Sequence, residues 1–193
     1  MAIIQNPTQA SLLEGLLMTA SKNWGGGEDI TAQIMENMNK IAFHESKGIT
    51  DKMQISDKTE SGYGPGRGLF QFEIDQNGQG GAHTAINRLI EQIGYRPEFL
   101  EGLSESDYDI SGLSPEQQQA IFLGNLLQMP DKKDSEGRVK ASFAGVDTDE
   151  ELADYWAQYH QAGEKLDTKG YDDNIAKFLE DLQEGYRKGL IKQ

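Results

Sequence analysis

Apolar positions recur at three- and four-residue spacing through most of the chain, and few segments alternate. Leu12, Leu13, Leu16, Leu17 and Ala20 form one stripe, opened by Asn6-Pro7 and closed near Gly25-Gly26-Gly27. Ile34, Met38, Ile41 and Glu45 share a face of a second helix, from about Asp29 to Ser46. A third runs from about Ala82 to Ile93 and stops at Gly94. Ser114-Pro115-Glu116-Gln117 has the capping-box spacing with Pro at the first helical position, and starts a helix reaching about Gln128. Thr148 and Glu151 repeat that spacing before a helix that carries Leu152, Tyr155, Trp156 and Tyr159. A last helix places Ile175, Phe178, Leu179, Leu182 and Tyr186 on one face; its mixed charge reads as a packing or docking surface. Strand signal is confined to residues 52–72, as Met53–Ile55 and Leu69–Phe72. The pattern predicts a mostly α domain with at most a short β-ribbon.

Composition narrows the function classes. The 193 residues contain no repeat of domain-building length and no Pro/Ser linker. A single domain spanning 1–193 is expected, its core at about 29–163, with helical extensions at both ends. The absence of cysteine excludes disulfides and thiol chemistry. His44, His83 and His160 are too scattered to suggest a metal site, and no cofactor is implied. With 32 acidic residues against 18 basic ones the formal charge is -14, which argues against nucleic acid as a partner. No apolar run approaches the ~18 residues of a membrane span, and Met1 to Pro7 carry no signal-peptide pattern.

Glu45 is the first candidate for chemistry. It lies four residues past Ile41 and seven past Met38, so the helix turns its carboxylate toward the core or its rim. It also sits in the last turn, where the negative end of the macrodipole disfavours an anion. Both effects raise a carboxyl pKa, as a general acid near neutral pH requires. Downstream, seven of the 20 residues from Gly62 to Gly81 are glycine, so side chains are sparse and a ligand can approach the backbone. Tyr63 lies in this stretch, and Leu69-Phe70-Gln71-Phe72 follows, with apolar anchors around one amide. Backbone, amide and aromatic groups together suit a sugar, which offers hydroxyls, N-acetyl amides and flat ring faces. The glycines match neither the Walker loop nor the dinucleotide fingerprint. Asp57, Glu60, Glu73 and Asp75 are candidates for a second carboxylate. His44 faces away from the apolar stripe and reads as a surface or supporting residue; Arg67 is expected to pair with a nearby acid. Trp156 and Tyr155 read as core, and Trp24 as an anchor beside the glycines.

His44-Glu45-Ser46-Lys47-Gly48, followed by Gly66-Arg67-Gly68-Leu69-Phe70-Gln71-Phe72, resembles the signature of the lysozyme-like superfamily. Its nearest members are the soluble lytic transglycosylases and phage tail lysozymes. Ser114 to Leu127, and Thr148 to Tyr159, are similar to later helices of the tail lysozymes, so the resemblance covers about residues 29–163. It implies a lysozyme-like fold and cleavage of the β-1,4 bond between N-acetylmuramic acid and N-acetylglucosamine in peptidoglycan. By the same resemblance Glu45 is the catalytic acid, Gln71 lines the sugar cleft, and Ser61 matches a cleft serine. The gap of 26 residues from Glu45 to Gln71 exceeds the family's usual spacing, which makes Gly48 to Glu60 look like an insertion. The transglycosylase Tyr-Asn-Ala-Gly segment is absent, with Tyr155 or Tyr159 as the available substitute. Tyr63, Phe72 and Tyr159 complete the expected substrate contacts. The expectation is a virion-associated lytic transglycosylase of a phage, or a muramidase if Asp57, Glu60, Glu73 or Asp75 is placed to activate water, working on glycan strands and seated among other virion proteins. The rival expectation is a non-catalytic adaptor of a phage particle that keeps the same fold.

Overall fold

The computed structural model describes residues 9–24, 28–55, 63–74, 81–104, 108–129, 143–159 and 168–192. Among them the helices are α1 (Gln9–Trp24), α2 (Glu28–Ser46), α3 (Gly81–Ile93), α4 (Pro115–Gln128), α5 (Asp149–Tyr159) and α6 (Thr168–Lys188). The strands are β1 (Met53–Ile55), β2 (Tyr63–Arg67) and β3 (Phe72–Glu73). They form one antiparallel sheet in the order β1-β2-β3, with Met53 opposite Arg67 and Arg67 opposite Phe72. The protein is mostly α, as the periodicity predicts.

Both capping boxes form. Ser114 Oγ accepts from Gln117 N–H, and the Gln117 amide oxygen accepts from Ser114 N–H at 2.7 Å. Thr148 and Glu151 make the same exchange at the start of α5. Each satisfies donors that a helix N-terminus would otherwise leave unpaired.

Helix α4 lies at the centre. Its run Ala120-Ile121-Phe122-Leu123 is apolar around the whole circumference, so burial on every side is its stable placement. Phe122 is fully buried and stacks on Phe70 with ring centroids 4.1 Å apart and planes within 10°. Gly124 lets α3 approach: a Cβ there would meet the Leu89 Cα at 3.0 Å. The leading and trailing helices join the same core, α1 through Leu12 and Leu16, α6 through Phe178 and Leu182.

The sheet departs from the sequence pattern in one respect. The glycine-rich stretch, which reads as a loop, supplies the central strand, while Leu69, Phe70 and Gln71 form a turn and only Phe72 of that segment is in a strand. Glycine has poor strand propensity, so the pattern carries no strand signal there. Packing explains the outcome. An added Cβ at Gly64 would meet the Gln54 amide, and one at Gly66 would meet the side chains of Gln54 and Gln71. The bare strand face receives the protein's own side chains.

Candidate active site

Helix α2 ends in a backbone closure that fixes Glu45. Lys47 and Gly48 both take left-handed conformations, with φ of 59° and 75°. Their N–H groups bond the Phe43 and Ala42 carbonyls, a C-terminal arrangement that satisfies the last acceptors of the helix. Ser46 is buried and its hydroxyl donates to the Ala42 carbonyl at 2.8 Å. Glu45 lies one residue before this lock, its side chain 19% exposed. Burial pushes its carboxyl up to about 7; the Asp181 carboxylate adds to this, and the Trp156 indole N–H and Lys47 oppose it. At neutral pH Glu45 is therefore divided between proton donor and carboxylate.

His44 is more enclosed than its sequence position suggests. Its ring packs 4.6 Å from Phe178 and 6.4 Å from Trp156, measured between centroids. Nδ1 lies 3.0 Å from Asp181 Oδ2, and Nε2 lies 3.8 Å from Glu45 Oε1. Burial pulls the imidazole below its ordinary value, against the opposing pull of Asp181. Asp181, on α6, also accepts from Lys47 at 2.5 Å and Lys177 at 2.9 Å. Burial pushes the Asp181 carboxyl up, but those two ammonium groups outweigh it and hold the group below the usual carboxylate range.

The glycine-rich segment is tied to the end of α2 by amides. Gln118, fully buried on α4, accepts from Leu69 N–H at 2.7 Å and donates to the Thr50 and Leu113 carbonyls, each at 3.0 Å. Gly68 N–H bonds the Lys52 carbonyl at 2.8 Å. The turn after β2 is thus moored to the chain that leaves α2. Gly68 is required twice over: its φ is +74°, and an added Cβ would fall 2.3 Å from Gln118 Oε1.

The expected sugar contacts are placed as follows. Gln71 is half-buried at φ 47°, and its amide donates to the Gly68 carbonyl at 2.7 Å and toward the Lys52 carbonyl at 3.3 Å. Phe72 is half-buried with its ring 6.1 to 6.3 Å from Phe122 and Phe70. Tyr63 opens β2 and Tyr159 closes α5, but their side chains lie outside what is described; Ser61 lies outside the described residues altogether. So do Asp57, Glu60 and Asp75, while Glu73 is exposed on β3. Arg67 is buried, donates to the Gly64 and Gly66 carbonyls, and lies 3.5 Å from Asp109, the acid pairing expected of it. Trp156 and Tyr155 belong to the core, and Trp24 makes an edge contact with Phe143.

Two residues central to this arrangement, Asp181 and Gln118, belong to none of the motifs the sequence displays. Asp181 lies three residues past Phe178, on the apolar face of its helix, the same signature that marks Glu45. Gln118 has no such signal beyond an uncommon polar residue in a buried helix. Among the described residues no group of three or more His, Asp or Glu side chains is placed to hold a metal ion. Comparison of the chain with family models, with curated proteins and with solved structures finds no match.

Proposed function

We propose that the protein cleaves the β-1,4 bond between N-acetylmuramic acid and N-acetylglucosamine in peptidoglycan, with Glu45 as its general acid. The observation that carries this reading is a largely buried carboxyl whose pKa is raised to about 7 at the end of α2. General acid catalysis works best with a pKa near the operating pH. The resemblance of the His44 to Gly48 and Gly66 to Phe72 segments to lytic transglycosylases and tail lysozymes supplies the substrate class.

Glu45 gives its proton to the glycosidic oxygen as the C1–O bond breaks. Its carboxylate then takes a proton from the muramic acid 6-hydroxyl while that oxygen bonds to C1. This closes a 1,6-anhydro ring and returns Glu45 to its acid form. An intramolecular nucleophile arrives positioned by the glycan itself, so one carboxyl suffices. Hydrolysis instead uses a second carboxyl ~5 to 9.5 Å away across the sugar. Asp181 is engaged by His44, Lys47 and Lys177 and does not serve that role. The setting we propose is a phage virion, where the strongly acidic chain is delivered to the wall by the particle and need not diffuse through an anionic polymer.

Mass spectrometry of digested sacculi tests the reaction. Anhydro-muropeptides are expected from wild type and none from Glu45→Gln. Reducing ends heavier by about one water (~18 Da) would show that water is the acceptor. No cleavage by wild type would leave the adaptor reading.

A further inference from the structure

We propose that Asp181, from the last helix, is a positioning residue for Glu45: it holds the single proton of neutral His44 on Nδ1, so that a bare Nε2 faces the Glu45 carboxyl. This rests on the proposed role of Glu45 and deepens it.

The geometry carries the assignment. An ionised carboxylate offers acceptors alone, so at 3.0 Å from Asp181 Oδ2 the imidazole Nδ1 must be the donor. Asp181 is kept ionised by Lys47 on α2 and Lys177 on its own helix, 2.5 and 2.9 Å away. His44 is enclosed by Phe178 and Trp156, an apolar setting that disfavours a second ring proton. A neutral imidazole with its proton on Nδ1 has a lone pair on Nε2, and that atom lies 3.8 Å from Glu45 Oε1. At that separation the two are not hydrogen-bonded, but a lone pair turned toward the carboxyl repels its charged form more than its neutral one. The acid form of Glu45 is favoured, which is the form that protonates a leaving group.

Among the described residues the charged and titratable groups around the pair are Lys47 on α2, with Asp181 and Lys177 on α6; α5 contributes the indole N–H of Trp156. Removing the charge of Asp181 acts on Glu45 in one direction by three routes. A nearby negative charge is lost, Lys47 is no longer neutralised, and His44 becomes free to carry its proton on Nε2, turning the positive end of an N–H dipole toward the Glu45 carboxylate. All three favour ionised Glu45.

The experiment uses the full chain with isotope-labelled histidine and glutamate. In wild type, nitrogen chemical shifts are expected to show His44 as the Nδ1–H tautomer, its signal identified by loss in His44→Gln. An Nε2–H tautomer overturns the proposal. In Asp181→Asn, the side-chain carboxyl titration of Glu45 is expected to move down by about one pH unit. The alkaline limb of the kcat profile on peptidoglycan should move with it, at little change in KM. An unshifted Glu45 titration overturns the proposal as well. If Asp181→Asn does not fold, the wild-type tautomer decides alone. An inactive wild type overturns the function and leaves the positioning to be decided by the two substrate-free measurements.

Discussion

Glu45 and Asp181 stand on facing helices, both withdrawn from water, and share a neighbour in His44. Desolvation acts on each in the same sense, yet Glu45 is raised to about 7 while Asp181 falls below its ordinary range. The difference lies in their partners. Asp181 accepts directly from two ammonium groups and an imidazole. Glu45 has the negative end of its own helix, an indole N–H, and an imidazole too distant for a hydrogen bond. Burial sets the scale of a carboxyl's perturbation; the count of cationic donors sets its sign.

The largest effect should come from removing the acid of this pair. Glu45→Gln is expected to lower muropeptide release at least ~100-fold, the usual size of a general acid's contribution. Zymography on purified sacculi reads it, and activity above a few per cent would place the acid elsewhere.

The same variant should gain stability, and the gain should depend on pH. The folded-state pKa of Glu45 is raised from 4.5 to about 7. Its stability contribution is therefore complete below the unfolded value and is lost as pH rises through the folded one. Glu45→Gln lacks that loss. The gap between the two proteins is expected to open between those values and level off above them, at no more than about 3 kcal/mol. Denaturant melts at pH 5 and pH 8 measure it; equal gaps at both would mean that Glu45 titrates normally.

A smaller change should follow Trp156→Phe, which removes the indole N–H that favours ionised Glu45. The Glu45 titration should move upward by less than about one unit. A downward movement would contradict the part assigned to Trp156. Smallest of all is Lys177→Met. Lys177 is well exposed, so its bond to Asp181 is expected to contribute about 0.5 kcal/mol, more at low ionic strength. A loss several times larger in thermal melts would mean that Asp181 depends on one cation more than on three partners together.

Much of the fold was legible because its signals are local. Ser114 with Gln117, and Thr148 with Glu151, specify helix starts within four residues, and both boxes form as written. Glu45 was legible because a carboxylate at the spacing of Ile41 and Met38 contradicts the apolar face it continues. Strand β2 was not, since five residues containing two glycines, a proline and an arginine carry no alternating pattern. Its bare face receives Gln54 and Gln71, and Gly66 N–H donates to the Gln54 amide, contacts that exist only in the folded chain. The partnership of His44 with Asp181 was hidden for a different reason: the trailing helix reads as a generic amphipathic surface, and nothing local says which buried group its acid will meet.

That bond between His44 and Asp181 spans 137 residues of chain. During synthesis Glu45 is made long before α6, and until α6 docks neither Phe178 nor Asp181 encloses His44. A nascent or truncated chain that stops after α5 leaves His44 and Glu45 in a wetter setting, where a carboxyl returns toward its ordinary value. A contact of such separation carries the loop entropy of the chain between its ends, so it depends on the rest of the fold being in place. The setting of the Glu45 carboxyl is therefore a property of the chain through α6, because the helix made last supplies the groups that enclose its histidine neighbour.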